Sequence, residues 1–151
     1  MKTVLQRVSS AAVTVAGKTV GEIGPGLLVL AGFGRNDTAG DLEWMLRKIL
    51  GLRIFPDASG VMNLSVEETG GALLVVSQFT LHADACRGRR PSYVKAAAPE
   101  DASTLYSLFV AMASRCGLPV ATGVFGAMMD IALVNAGPVT LLLDSPSERT
   151  P

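Results

Sequence analysis

Histidine occurs once in this sequence, at His82, and cysteine twice, at Cys86 and Cys116. A Ser-His-Asp or Cys-His mechanism needs an imidazole oriented by a third group, and a zinc site needs several ligands at motif spacing. One histidine and two separated cysteines exclude a zinc framework, so no metal and no other cofactor is expected, and both thiols are read as free. Aromatic residues (5%) and charged residues (17%) are also sparse, whereas 49% of the chain is hydrophobic. That balance excludes disorder and indicates a packed globular protein. The 13 basic and 13 acidic side chains cancel, which removes any global field that would recruit nucleic acid. No apolar run approaches the ~20 residues that cross a bilayer, and Met1 to Ser10 lacks the apolar centre of a signal peptide. A soluble, cytoplasmic protein is the simplest reading. The sixteen glycines form neither a Walker-type phosphate loop nor a dinucleotide fingerprint.

A chain of 151 residues suits one domain with an ordinary core. The domain is assigned to residues 1–144 and a loose tail to residues 145–151. Short β-branched runs separated by turns predict strands at Lys2 to Val8, Ala12 to Val15, Thr19 to Ile23 and Leu27 to Ala31. Thr38 and Asp41 resemble a capping box, and Leu42, Met45, Leu46, Ile49 and Leu50 recur at helical spacing until Gly51. Leu52 to Phe55 reads as a strand, and the continuous apolar run Ala72 to Val76 as a buried one. Pro99 suits a first helical turn, after which Leu105, Leu108, Phe109, Met112 and Cys116 mark an apolar face up to Gly117. Further strands are expected at Val120 to Thr122, Met129 to Val134 and Val139 to Leu143, the last two joined by a turn through Asn135 to Pro138. The predicted fold is a single-domain α/β protein with a mostly antiparallel, barrel-like sheet and two main helices.

Two stretches hold the polar chemistry. Ser77-Gln78-Phe79-Thr80-Leu81 follows the buried strand, and its hydroxyls, amide and backbone N–H groups are of the kind that stabilise a developing oxyanion. The same pattern also fits a simple strand end with Phe79 and Leu81 in the core. Asn135-Ala136-Gly137-Pro138 fits a hairpin turn, and its Gly-Pro bond is also a place where a cis peptide lies within about 0.5–1 kcal/mol of trans. His82 stands two residues from Thr80, yet Ala83-Asp84 and the Arg/Gly-rich stretch beyond it suggest a loop, so it reads as a surface histidine rather than a base. Arg87, Arg89, Arg90 and Lys95 form a local basic cluster, either a solvated surface or a binding site.

Taken in order, several segments resemble the D-aminoacyl-tRNA deacylases from Met1 to about Asp144. They are Gln6-Arg7-Val8, Arg53-Ile54-Phe55 with Met62-Asn63-Leu64, Ser77 to Leu81, Arg87-Gly88 with Arg90-Pro91-Ser92, the set Gly123, Phe125, Ala127 and Met129, and Asn135 to Thr140. The resemblance implies hydrolysis of the ester joining a D-amino acid, or glycine, to the terminal adenosine of tRNA. It implies a homodimer, with a cis Gly137-Pro138 of one subunit entering the active site of the other and excluding L-residues sterically. It further implies that Thr80 and the amides near Phe79 and Thr80 lie by the scissile carbonyl; the sequence leaves Thr80 open as nucleophile or positioning group, and positioning is favoured because a threonine nucleophile wants an adjacent base and none is evident. The 2′-hydroxyl of the terminal ribose would help to activate water. Ser77 and Gln78 would support the pocket, Asn135 shape the turn, Arg7 brace the Gly-Pro loop, and Arg87, Arg90 and Lys95 contact the tRNA acceptor end. Two departures stand out: Ala136 replaces a frequent Asp, and Val124 replaces a frequent basic residue, which removes a phosphate contact. A non-catalytic module that binds the acceptor end, and a small-molecule-binding barrel without an RNA partner, are the alternatives.

Overall fold

A strand of fourteen residues, β1 (Lys2–Val15), organises the molecule; the computed structural model describes residues 1–86 and 88–146. The two strands expected at its ends are one continuous element. It pairs antiparallel with β3 (Gly26–Gly32) along its first half, with β2 (Lys18–Ile23) along its second, and with β8 (Asp130–Asp144) along its other edge. β3 continues in parallel to β6 (Ala72–Ser77), and β6 to β7 (Val120–Thr122). The sheet is therefore mixed, with mainly antiparallel pairs. It nearly closes into a barrel where β2 meets β7: a Cβ on Gly21 would lie 2.4 Å from the Thr122 carbonyl oxygen, so this contact requires glycine.

Burial along β1 explains how its bulges work. Thr3 and Leu5 are buried, then Val8, then Ala11 and Val13. The buried parity changes and changes back where the register with β8 slips, between Gln6 and Val8 and between Val8 and Ser10. A slip of one residue exchanges the two faces of a strand, so β1 feeds two cores in turn. Leu27, Val29, Leu73 and Val75 face the core shared with the helices, while Val8, Val13, Leu28, Leu74 and Val76 fill the barrel interior. β3 and β6 are covered on both sides, which is why their sequences read as unbroken apolar runs.

Helix α1 (Ala39–Gly51) buries Leu42, Met45, Leu46, Ile49 and Leu50, the face expected from spacing. Its N-terminus is held by the Asp41 carboxylate, which accepts from the Thr38 N–H at 2.8 Å and the Thr38 hydroxyl at 2.7 Å. Burial pushes the Asp41 carboxyl up, but the Thr38 hydrogen bonds outweigh it and hold the group below the usual range. Phe55–Pro56 (β4) and Met62–Leu64 (β5) form a two-strand ribbon, so Leu52 to Ile54 lie outside any strand. The short helix α2 (Val66–Thr69) was not anticipated, although Ser65 and Glu68 show the capping pattern.

Helix α3 (Pro99–Ala113) starts at proline as expected, and of its expected face Phe109 is buried while Leu105, Met112 and Cys116 pack against the same core. Ala102, Tyr106, Phe109 and Ala113 are buried, and Leu108 is exposed. Small alanines leave no mark in a pattern of large residues, and Tyr106 is anchored because its hydroxyl donates to the Val75 carbonyl at 3.0 Å. The hairpin expected from Met129 to Leu143 is absent. β8 runs through it, because both arms pair with β1 instead of with each other. Ser145 is not loose: its N–H donates to the Met1 carbonyl at 2.8 Å. The rest of the expected tail, residues 147–151, lies outside the described residues. Among the described residues no helix is long and apolar enough to cross a membrane.

Candidate active site

β6 ends at Ser77, opposite Ala31 of β3, and the Gln78 N–H still donates to the Ala31 carbonyl at 2.7 Å. The chain then turns into a single 3-10 turn, Phe79–His82. Such a turn begins with N–H groups that have no partner within it. Leu81 is the first residue to bond back, to the Gln78 carbonyl at 3.3 Å, and the Phe79 and Thr80 N–H groups meet no acceptor among the described residues. The Thr80 hydroxyl oxygen accepts from Gln78 Nε2 at 2.5 Å. Ser77 and Gln78 are half-buried, whereas Phe79 is 57% exposed. Phe79 is thus not a core residue and the stretch is not a plain strand end, because the turn swings its ring outward.

His82 is buried, contrary to the surface position expected of it. The turn folds it back against the backbone at Gly32 and Gly34, where added Cβ atoms would lie 3.3 and 3.1 Å from its ring. Its Nε2 has no hydrogen-bond partner among the described residues, and the Thr80 hydroxyl is bonded to Gln78 instead. Among the described residues no three His, Cys, Asp or Glu side chains converge as metal ligands.

The second stretch is a wide bulge in β8. Val8 faces Asn135 and Gln6 faces Thr140, so two steps along β1 match five along β8. The surplus residues loop out, and Asn135 closes their base: its Oδ1 accepts from the Val139 N–H at 2.8 Å and its Nδ2 donates to the Thr140 hydroxyl at 2.8 Å. The Gly137-Pro138 peptide is cis. Gly137 has φ +135°, and a Cβ there would lie 2.7 Å from Arg7 Nη2 and 2.8 Å from Val139 Cγ2. Arg7 Nε donates to the Ala136 carbonyl at 2.8 Å, and its Nη1 donates to the Ile54 carbonyl. The asparagine and glycine that suggested a hairpin shape this bulge instead.

The loop after the turn is pinned by paired backbone bonds between Asp84 and Ser92, at 2.8 and 2.9 Å. Gly88, Arg89, Arg90 and Lys95 are exposed on it, while Arg87 lies outside the described residues. Hydrogen bonds from Cys86 hold the Asp84 carboxyl below its ordinary range, and Asp84 in turn pushes the Cys86 thiol up, which makes it a poor nucleophile. Sequence reasoning passed over Tyr93, whose ring packs on Phe79 at 5.1 Å between centroids with 66° between planes. The signal was an aromatic residue in a polar, arginine-rich loop.

Within one chain the two stretches stay apart. Ser77 is level with Ala31 and Thr3, whereas the bulge is level with Arg7. Four residues of strand separate those levels, about 13 Å, and β3 and β1 intervene. Two open concavities of about 440 and 390 Å³ lie elsewhere, around Glu22 to Gly24, and contain none of these residues.

A family model described as D-Tyr-tRNA(Tyr) deacylase matches residues 4–144. A D-aminoacyl-tRNA deacylase of Myxococcus xanthus (strain DK1622) is 55% identical over 151 residues, covering 100% of this chain and 99% of the relative. One of Desulfitobacterium hafniense (strain DSM 10664 / DCB-2) is 57% identical over 145 residues, covering 96% and 97%. Among solved structures, a c-Myc DNA Unwinding Element Binding Protein superposes with a TM-score of 0.91 at 42% identity, covering 97% of this chain and 100% of the other. A probable eukaryotic D-amino acid tRNA deacylase shares the fold, with a TM-score of 0.80 at 20% identity over 94% and 97% of the two chains.

Proposed function

This chain belongs to the D-Tyr-tRNA(Tyr) deacylase family, and on that premise we propose that it hydrolyses D-aminoacyl-tRNA, and glycyl-tRNA, as a chiral check on translation in the cytoplasm. Water adds to the ester carbonyl, the acyl-oxygen bond breaks, and free amino acid leaves a tRNA with its terminal ribose hydroxyl restored. The observation that carries this reading is the pair of N–H groups at Phe79 and Thr80, without an acceptor among the described residues, beside the Thr80 hydroxyl. They would receive the negative charge that develops on the carbonyl oxygen. Ser77 and Gln78 hold this turn, Thr80 positions groups, and the 2′-hydroxyl of the substrate ribose helps to activate water. No cofactor enters the step.

Gly137-Pro138 would read handedness. D- and L-residues have the same volume, and a methylene's worth of space discriminates by only ~1–3 kcal/mol, so a fixed wall is needed. The Arg7 and Asn135 hydrogen bonds to this bulge support its rigidity. Because the bulge and the Thr80 turn are separated in one chain, a homodimer in which each bulge completes the partner's site is the natural arrangement. β8 supports it: the strand pairs with β1 on one edge, and Val134 and Leu142 are exposed, a surface that monomers rarely leave open. Arg87, Arg90 and Lys95 would meet phosphates of the acceptor end.

The test is release of free D-tyrosine from D-Tyr-tRNA, and of glycine from glycyl-tRNA, by the purified protein. Tight binding of D-Tyr-tRNA without release would favour a non-catalytic acceptor-end module. That reading gains from Val124, an exposed apolar side chain at a position where the family resemblance implies a basic one.

A further inference from the structure

Tyr93 has no role in the chemistry described above, yet the residue is 40% exposed beside Phe79, which is 57% exposed. Large aromatic side chains left in water beside a reactive turn call for an occupant. The pair is not on a loose loop. Tyr93 follows Ser92, which is bonded twice to Asp84; the Tyr93 carbonyl accepts from the Ala96 N–H at 3.0 Å; and the Ala97 N–H donates to the Phe33 carbonyl at 2.9 Å. The edge-on contact with Phe79 fixes the tilt of the Tyr93 ring. On its own loop the exposed basic residues are Arg89, Arg90 and Lys95, and exposed Arg35 joins that loop through its N–H, which donates to the Lys95 carbonyl at 3.4 Å. Asp84 is the carboxylate close to Lys95.

A fixed aromatic face bordered by cations suits single-stranded nucleic acid, since bases stack without regard to sequence while phosphates meet the positive rim. We propose that Tyr93, backed by Phe79 and flanked by Arg35, Arg90 and Lys95, is a stacking platform for the unpaired tRNA nucleotides immediately 5′ of the terminal adenosine. This rests on the deacylase reading, and it explains how a chain of zero net charge holds a polyanion locally.

The test measures the Kd of uncharged tRNA, intact or trimmed of its three 3′ nucleotides, for the wild-type protein, Y93L and Y93F. Y93L is expected to weaken binding of intact tRNA by roughly tenfold or more, the worth of one stacked base, and to leave the trimmed tRNA within about twofold. Y93F, which keeps the ring, is expected to bind like wild type; Y93Q replaces Y93L if the latter does not fold. Equal weakening for both tRNAs, no weakening, or no tRNA binding by wild type would overturn the platform. So would a Y93L effect confined to the sedimentation behaviour, which would make the patch a protein contact. Wild-type turnover of D-Tyr-tRNA is measured in parallel: turnover with an unchanged Y93L Kd removes the platform and keeps the deacylase, whereas no turnover removes the deacylase.

Discussion

Arg7 Nε donates to the Ala136 carbonyl at 2.8 Å, tying the central strand to the residue that enters the Gly137-Pro138 bulge. The same guanidinium reaches the Ile54 carbonyl, so one side chain joins three parts of the chain. A planar fork makes two directed bonds of this kind, and an ammonium does not.

Arg7→Lys is therefore expected to lower kcat/KM for D-Tyr-tRNA by about tenfold or more, since a charged hydrogen bond contributes about 1.5–3 kcal/mol. Hydrolysis of L-Tyr-tRNA should rise as the bulge loosens. Steady-state kinetics on both esters measures this. Unchanged values for both would remove the bracing role.

Gly137→Ala places a Cβ in contact with Arg7 and Val139 at a φ of +135°. Such a backbone conformation costs roughly 1–3 kcal/mol for a residue with a side chain. Chemical denaturation is expected to register that loss, with deacylation falling much further than stability. Full activity in a folded G137A protein would contradict the wall.

Thr80→Ala should slow deacylation by at least roughly tenfold, the worth of a lost buried hydrogen bond, without abolishing it. Acid-quenched wild-type reactions examined by mass spectrometry should contain no aminoacyl-enzyme. A covalent adduct on Thr80 would make it the nucleophile.

The Asp57 carboxylate accepts from the Ser59 N–H at 2.8 Å and the Val61 N–H at 3.1 Å, and these bonds hold its pKa below the ordinary value of 3.8. A depressed carboxyl contributes stability above the unfolded-state pKa and loses it as pH falls through the folded one. Denaturation midpoints should therefore decline below about pH 4 and decline less in Asp57→Asn. Parallel curves for the two proteins would exclude the contribution.

Much of the fold was legible because burial leaves a periodic trace. Leu42 to Leu50 showed the face of α1, and the unbroken run Ala72 to Val76 showed that β6 is a buried strand. The errors share a cause. Asn135 to Pro138 carries the residues of a tight turn, and local chemistry does not tell a hairpin from a bulge; pairing of both arms with β1, more than a hundred residues away in sequence, decides it. His82 looked exposed because its neighbours are polar, whereas the 3-10 turn folds it inward. On α3 only Leu108 was misplaced, and Ala102 and Ala113, buried beside Phe109, were missed because they are too small to register. At the candidate site the motif residues were visible, but the N–H groups of Phe79 and Thr80 follow from backbone geometry, and Tyr93 from a contact between loops.

The most direct measurement is the rate at which the purified protein releases tyrosine from D-Tyr-tRNA and from L-Tyr-tRNA under identical conditions. Rapid loss of the D-ester with the L-ester intact is expected of a chiral deacylase. Equal rates for the two esters, or two stable esters, would contradict it.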